Sequence, residues 1–479
     1  MNTPNTRFEH YVGGEFIAAA DTIDVVNPAT ERRIGGTSEA SADLVDRAVL
    51  SAKAAQVEWA RLPPHARGLH LRAIAKRVRE ELPRLARLTA LEQGKVLPLA
   101  ELEVMLTAEY LDYMAEWARR IEGEVISSDR PGESIFLFRR PMGVVAGVLP
   151  WNFPFFMVAR KVAPALVTGN TIVLKPSEET PFGAYEFARI VASTDLPQGV
   201  FNLVGGRGAT TGTALVSHAG VDMVSFTGSS PTGAAIMALA AKNITKVNLE
   251  LGGKAPAIVL DDANVDLAVG VLKASKAMNS GQACNCAERV YVHRKIAGEF
   301  SDKLARAMDS ISFGDPLGDQ PVEMGPLINL AAVERLSGLI QNAKAQGAEV
   351  LAGGSATDRG TGYHFRPTVV MHTKPTMQIM QREIFGPVLV VNVVDSLDEA
   401  IERANESEYG LSSSIFTSSL NAAMKAIAEL KFGETYVNRE NFEAIQGFHA
   451  GVRKSGIGGT DGKHGLYEYT HTQVAYIQC

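Results

Sequence analysis

The stretch Asn279-Ser-Gly-Gln-Ala-Cys284-Asn-Cys286-Ala-Glu-Arg289 sets a thiol in a short polar loop that contains glycine. An ionised thiol is a strong nucleophile toward carbonyl carbon, but free cysteine has a pKa of ~8.5 and only a few per cent is thiolate at neutral pH. A working site must lower that value or supply a base. Taken alone, Cys284 reads more readily as a small buried apolar side chain, and its company elsewhere in the chain decides otherwise. Cys286, two residues on, reads as a buried neighbour rather than a second nucleophile. The third cysteine is the last residue, Cys479. These three make no disulfide framework, and no Cys/His spacing suggests zinc, so no metal centre is expected.

The loop lies between a helix expected over 265–278 and a strand expected over 289–292, a kind of junction where chemistry is commonly mounted. Upstream, 11–17 reads as two short strands about Gly13-Gly14. Ser41 caps a helix running to Trp59, with Asp43 and Asp46 early and Leu44, Val45, Ala48 and Val49 at the helical period. Further helices are expected over 64–91, with Gly94 as a stop, and over 99–121; a strand at 134–139 follows the exposed loop 127–132. From Val144 short apolar strands (144–149, 171–174, 200–204, 223–226) alternate with helices near 154–166, 181–193 and 231–241. That alternation predicts a mostly parallel sheet covered on both faces. A second alternating block spans 247–437, with strands at 257–260, 290–292, 368–371, 413–416 and 435–437. Its helices lie near Val265, Ile296, Ala331, Leu397 and Leu420. Segments 352–355 and 360–362 read as surface turns, and 474–478 as a last strand free to pair elsewhere. Two α/β lobes with a cleft between them is the economical architecture.

Composition narrows the function classes. At ~150 residues per domain, 479 residues require two or more lobes. A net charge of -6 with no Lys/Arg block leaves no electrostatic footprint for nucleic acid. Residues 1–8 lack a charged-then-apolar leader pattern, and no apolar run reaches the ~18 residues needed to span a bilayer. A cytoplasmic location with no membrane partner is expected.

Six strings then carry a resemblance: Pro150-Trp-Asn-Phe-Pro154, Lys175-Pro-Ser-Glu178, Phe226-Thr-Gly-Ser229, Leu249-Glu-Leu-Gly-Gly-Lys254, Gly281-Gln-Ala-Cys284 and Glu383-Ile-Phe-Gly-Pro387. In order and spacing they resemble the NAD(P)-dependent aldehyde dehydrogenase superfamily, essentially end to end. The resemblance implies an α/β fold with a Rossmann-like cofactor domain (1–120 and 141–248), an α/β catalytic domain (249–465) and a small β oligomerisation arm (121–140 and 466–479). It also implies a homo-oligomer, a tetramer rather than a dimer.

The implied chemistry is coherent. Hydride leaves a carbonyl carbon only from an electron-rich tetrahedral adduct, which the Cys284 thiol would form. The resemblance makes the Asn152 amide and the Cys284 backbone N–H the donors to the oxyanion, one such donor being worth ~3 kcal/mol. Otherwise Asn152 would be a turn cap before Pro154. It makes Glu250 the base that activates water for hydrolysis of the thioester; burial between Leu249 and Leu251 would raise its pKa. An outward-facing strand glutamate is the alternative. Its presence favours water over coenzyme A as acyl acceptor. For the cofactor it implies Trp151, Lys175, Glu178, Phe226, Gly228, Ser229, Leu251, Gly252, Glu383 and Phe385, with Glu178 on the ribose hydroxyls disfavouring a 2'-phosphate, so NAD over NADP. The pyrophosphate would sit at the N-terminus of the helix near Pro231. Gly205-Gly-Arg-Gly208 lacks dinucleotide-fingerprint spacing and reads as a turn.

Departures from the family pattern bear on the substrate. Arg160 stands where an aromatic residue is common, Arg439 is unusual, and Phe448-His449-Ala-Gly-Val-Arg-Lys-Ser-Gly456 with Gly459-Thr460 removes a glutamate many relatives use for proton relay. Arg160, Arg439 and His449 are the substrate-binding candidates, with interdomain salt bridging as the alternative for each arginine. Segments 113–120, 285–289 and 433–442 are similar to the family branch that oxidises short 2-hydroxyaldehydes. A small semialdehyde such as succinate semialdehyde is the rival substrate, because an arginine pair could grip a distal carboxylate. A catalytically silent NAD-binding or structural protein is the alternative of another class.

Overall fold

The computed structural model describes residues 7–18, 21–357 and 361–479; the segment 1–6 and Gly360 of the expected turn 360–362 lie outside them. Strands such as Val144–Val148 and Thr171–Lys175 are buried along their whole length, as their apolar sequence requires, and a strand buried on both faces belongs inside a covered parallel sheet. The first sheet has eight strands. Lys246–Glu250, Met223–Thr227, Val144–Val148, Thr171–Lys175 and Phe201–Leu203 run parallel in that order, and the antiparallel pair His10–Val12 and Glu15–Ile17 extends one edge. At the other edge Gly456–Ile457 returns from far along the chain to pair with Lys246–Glu250. The alternation in the sequence groups Val247 onward with the second block. Register decides differently, pairing Lys246–Glu250 residue for residue with Met223–Thr227.

The second sheet has seven strands, in the order Glu349–Ala352, Thr368–Met371, Val388–Val394, Ala287–His293, Ala255–Val259, Ser412–Phe416 and Glu434–Val437. All neighbours run parallel except the first pair. The sequence reading misses Val388–Val394, Glu349–Ala352, the hairpin of Thr22–Asn27 with Arg32–Ser38, and the short strands Gly456–Ile457 and Glu124–Ser127, whose Ser127 falls in the expected loop. The first was legible as an apolar, mostly β-branched run directly after Pro387. Helices follow local rules closely. The Ser41 hydroxyl accepts from the Leu44 N–H at 3.3 Å to start Ala42–Arg61, and Leu82–Gln93 stops at Gly94 in the left-handed region, φ 84°. Pro154–Thr168 is buried on every side, packed between the first sheet and the helical layer that includes Leu97–Glu116. Thr470–Gln478, Glu133–Pro141 and Glu124–Ser127 form a separate three-stranded antiparallel sheet. Among the described residues no helix is long and apolar enough to cross a membrane.

Candidate active site

The two large sheets meet at the site with opposite ends. From the first come the carboxyl ends of parallel strands: Asn152 beyond Val144–Val148, Lys175 closing Thr171–Lys175, Gly228 beyond Met223–Thr227, and Glu250 closing Lys246–Glu250. From the second come segments that enter the amino ends: Gly252 before Ala255–Val259, Cys284 before Ala287–His293, and Glu383 with Phe385 before Val388–Val394. The chain passes from Glu250 to Gly253 straight from one sheet into the other.

Cys284 is partly buried and lines a pocket. Leu102, Leu106, Phe153, Phe156 and Met157 make its walls apolar, while Asn285, Glu443 and Arg160 make the end near the thiol polar. The loop that carries the sulfur is strained, with Asn279 (φ 49°) and Ser280 (φ 58°) both left-handed. Side chains hold it: Gln282 Nε2 donates to Asn279 O at 3.0 Å and Ser280 Oγ donates to Gly325 O at 2.8 Å. Burial pushes the Cys284 thiol up, opposed by His449, whose Nε2 is 4.0 Å from the sulfur. Cys286 faces away, its sulfur donating to Ser275 O at 3.1 Å.

Asn152 is buried, and its Nδ2 donates to Gln282 O at 3.1 Å, which aims the amide across toward the cysteine loop. Its own carbonyl accepts from Lys95 Nζ at 2.8 Å and Asn279 Nδ2 at 2.9 Å. Lys95 pairs in full burial with Glu103, and Glu103 Oε1 accepts the Phe155 and Phe156 N–H groups at 2.8 and 3.1 Å, at the start of Pro154–Thr168. Sequence reasoning missed Lys95 and Glu103. No local signal marked them: Lys95 lies in the short link before Leu97–Glu116, and Glu103 is one of several acidic residues on that helix.

Glu250 is 4 % exposed, and among the described residues neither carboxylate oxygen has a hydrogen-bond partner, although His449 Nε2 stands 3.4 Å from Oε2. Burial raises its pKa against the opposing charges of His449, Lys161 and Arg160. His449 is buried, its Nδ1 2.8 Å from Glu434 Oε1, and it is not among the residues that line the apolar pocket. Arg160 lines the cavity but is committed: Nε donates to Asp461 Oδ1 at 3.0 Å and Nη2 to Glu443 Oε1 at 2.9 Å. Arg439 is half exposed outside the cavity lining, donating to Glu440 Oε1 and Phe442 O, each at 3.0 Å. The structure therefore groups Cys284, Asn152, Glu250, Arg160 and His449, and sets Arg439 apart.

The groups that could hold a dinucleotide form a second cluster. Lys175 Nζ donates to Glu178 Oε2 at 3.2 Å, and Glu178 Oε1 accepts the Gly208 N–H at 3.2 Å. The turn containing Gly205 to Gly208 thus takes part by positioning a carboxylate. Burial would raise Glu178, but Lys175 and the Gly208 N–H outweigh it and keep it charged. Helix Ser230–Ala241 opens with no side-chain cap, and Ser229 Oγ turns instead to Thr232 Oγ1 at 2.9 Å, which leaves backbone N–H groups for an anion. Phe226 packs beneath Gly228, where a Cβ would fall 2.4 Å from its ring. Leu251 is buried, and its N–H donates to Ser455 O at 2.9 Å. Glu383 Oε1 accepts the Gly253 N–H at 2.8 Å, and burial pushes Glu383 up to about 7. Phe385, left-handed at φ 50°, meets Trp151 edge to face at 5.5 Å. A helix N-terminus without a side-chain cap, a charged carboxylate beside Lys175 and an edge-to-face aromatic pair are groups that could hold a nicotinamide dinucleotide.

Comparison with known proteins agrees with this arrangement. The aldehyde dehydrogenase family model matches residues 16–475. The chain is 56 % identical to lactaldehyde dehydrogenase of Escherichia coli (strain K12) over 470 residues, 98 % of each chain. The crystal structure of lactaldehyde dehydrogenase from Escherichia coli superposes with a TM-score of 0.98 at 55 % identity, covering 99 % of this chain and 100 % of that one. Betaine aldehyde dehydrogenase from Staphylococcus aureus, solved in complex with NAD+, has a TM-score of 0.95 at 34 % identity over 98 % and 94 % of the two chains. With the family model matched from residue 16 to 475 and more than half of the residues shared with a relative over 98 % of each chain, the chain belongs to the aldehyde dehydrogenase family.

Proposed function

We infer that this enzyme oxidises short 2-hydroxyaldehydes, lactaldehyde and glycolaldehyde, to their carboxylates with NAD, passing the acyl group to water. The observation that carries the substrate class is the polar end of the cavity. Asn285 Nδ2 donates to Glu443 Oε2 at 2.6 Å beside the thiol, a pair suited to a hydroxyl on the carbon next to the aldehyde. The same end disfavours a semialdehyde with a distal carboxylate, because Arg160 is already matched by Asp461 and Glu443. The identity to the Escherichia coli relative named lactaldehyde dehydrogenase supports the same substrate.

In this reading Cys284 forms the thiohemiacetal and then the thioester. Asn152 Nδ2 and the Cys284 N–H receive the oxyanion, and Glu250 takes the proton of the attacking water. NAD supplies the hydride acceptor when bound. Lys175 and Glu178 would hold its adenosine ribose, Gly228 and Ser229 with the Ser230–Ala241 N-terminus its pyrophosphate, and Glu383 its nicotinamide ribose, with Trp151, Leu251, Gly252 and Phe385 near the ring. The charged Glu178 supports NAD over NADP by repelling a 2'-phosphate. The reading assigns 1–120 and 141–248 to the cofactor domain and 249–465 to the catalytic domain. The arm, 121–140 and 466–479, presents the exposed apolar residues Val125, Ile126, Val474, Tyr476 and Ile477 to a neighbour in a homotetramer, in a cytoplasmic enzyme.

The test is a steady-state panel of lactaldehyde, glycolaldehyde and succinate semialdehyde with NAD and with NADP, on wild type and Cys284→Ala. Highest kcat/KM for a 2-hydroxyaldehyde with NAD, abolished in the variant, is expected. A large preference for succinate semialdehyde would overturn the substrate assignment.

A further inference from the structure

Arg207 has no part in aldehyde oxidation as outlined above, yet it lies in the turn that supplies the Gly208 N–H to Glu178. That turn is built against Lys175. The Gly212 N–H donates to Arg207 O at 3.1 Å, and a Cβ at Gly212 would fall 3.6 Å from the Lys175 Cδ. The exposed Arg207 guanidinium turns to Glu39, Nη1 donating to Oε2. Glu39 directly follows strand Arg32–Ser38 and is anchored through backbone and side chain alike. Its N–H donates to Asp21 O at 3.0 Å, the Ala40 N–H donates to Gly205 O at 2.9 Å, and its Oε1 accepts from the Thr210 hydroxyl at 2.6 Å. The Glu39 charge is felt at Lys175 as well, where burial lowers the pKa against the opposing charges of Glu178 and Glu39. Two cations and two carboxylates therefore stand together, Lys175 matched by Glu178 and Arg207 by Glu39.

We propose that Glu39 is a second determinant of NAD over NADP, holding Arg207 in an ion pair and so withholding it from a phosphate on the 2'-hydroxyl of the adenosine ribose. This rests on the reading that Lys175 and Glu178 receive that ribose. A phosphate monoester brings roughly two negative charges near neutral pH. In dinucleotide-binding folds an arginine close to the ribose accommodates them, and the guanidinium fork matches phosphate oxygens two at a time. Arg207, one residue from the Gly208 N–H that Glu178 accepts, is the arginine so placed, and Glu39 occupies it. Selectivity between two cofactors is a difference of affinities, and a site can set it by denying the wrong one its partner. The pair is exposed on the arginine side and adds little to stability, so its loss leaves the fold in place. Glu39→Gln keeps an acceptor for the Thr210 hydroxyl while releasing Arg207.

The experiment is the quotient of kcat/KM for NADP over kcat/KM for NAD, with lactaldehyde saturating, on wild type, Glu39→Gln, Glu178→Gln and Glu39→Gln combined with Arg207→Ala. The quotient does not depend on the fraction of enzyme that is folded. Glu39→Gln should raise it ~10-fold through a lower KM for NADP, as one charge-assisted hydrogen bond supplies. The gain should shrink as salt is added, because Arg207 is exposed, and should fall back in the combined variant. A quotient unchanged in Glu39→Gln, or a gain that survives Arg207→Ala undiminished, would overturn the proposal. Glu178→Gln separates that failure from failure of the ribose reading. A raised quotient there with none in Glu39→Gln removes the part of Glu39 alone, whereas no rise in Glu178→Gln removes the ribose site and the proposal with it.

Discussion

At the residue scale the site is a set of groups that burial has moved away from their solution behaviour. Glu250 is the sharpest case, a buried carboxylate that has no hydrogen bond among the described residues and faces only His449 Nε2 at 3.4 Å. Its raised pKa means that it is protonated, and unable to take a proton from water, below a pH set above the ordinary carboxylate range. The hydrolytic limb of kcat should therefore rise with pH through that raised value. Glu250→Gln should keep the NADH burst and lower steady-state turnover by ~10²- to 10⁴-fold, with the pH limb lost, as read by stopped-flow absorbance. Asn152→Ala should instead slow the burst itself, by ~10²- to 10³-fold. The motif strings made these two residues legible. Arg160 was legible as unusual, but not that Asp461 and Glu443 consume its charge, because partners about 300 positions away leave no local trace.

At the element scale, position comes from helix and strand ends. The start of Pro154–Thr168 is tied by Glu103 from the neighbouring helix, and Lys95 joins that carboxylate to the Asn152 carbonyl, so one buried ion pair aligns a helix terminus with the oxyanion donor. Removing one partner strands the other charge in a dry interior. Lys95→Met should cost ~3–5 kcal/mol in urea unfolding and lower kcat, while Lys95→Met with Glu103→Gln should lose less than the two changes summed. The Ser41 cap, Gly94 and apolar periods announced helices, since those signals act within a turn or two of chain. The edge that each sheet turns toward the cleft could not be announced, because strand order and direction are set by packing between distant segments.

At the scale of the whole molecule, the N-terminal strand is locked to the cofactor side by His10. It is fully buried, and its Nδ1 accepts the Gly205 N–H at 3.0 Å, which requires the neutral ring. Burial lowers His10 to about 4, below its unfolded value of ~6.5. Between those values the unfolded chain binds the proton and the folded chain does not. The stabilisation is complete above pH 6.5 and drains away as pH falls through 4, by up to about 3 kcal/mol. Urea midpoints at pH 7, 5 and 4 should fall more steeply for wild type than for His10→Gln.

The amino-acid order by itself determined the chemistry-bearing groups, the helix starts and stops and the α/β class, because each depends on side chains close together in sequence. Only the tertiary structure decided that Lys246–Glu250 belongs to the first sheet, that carboxyl ends of one sheet oppose amino ends of the other, and that His449 stands between Glu434, Cys284 and Glu250. Those relations are made by register, burial and charge across long stretches of chain, where local pattern carries no information about which partner arrives.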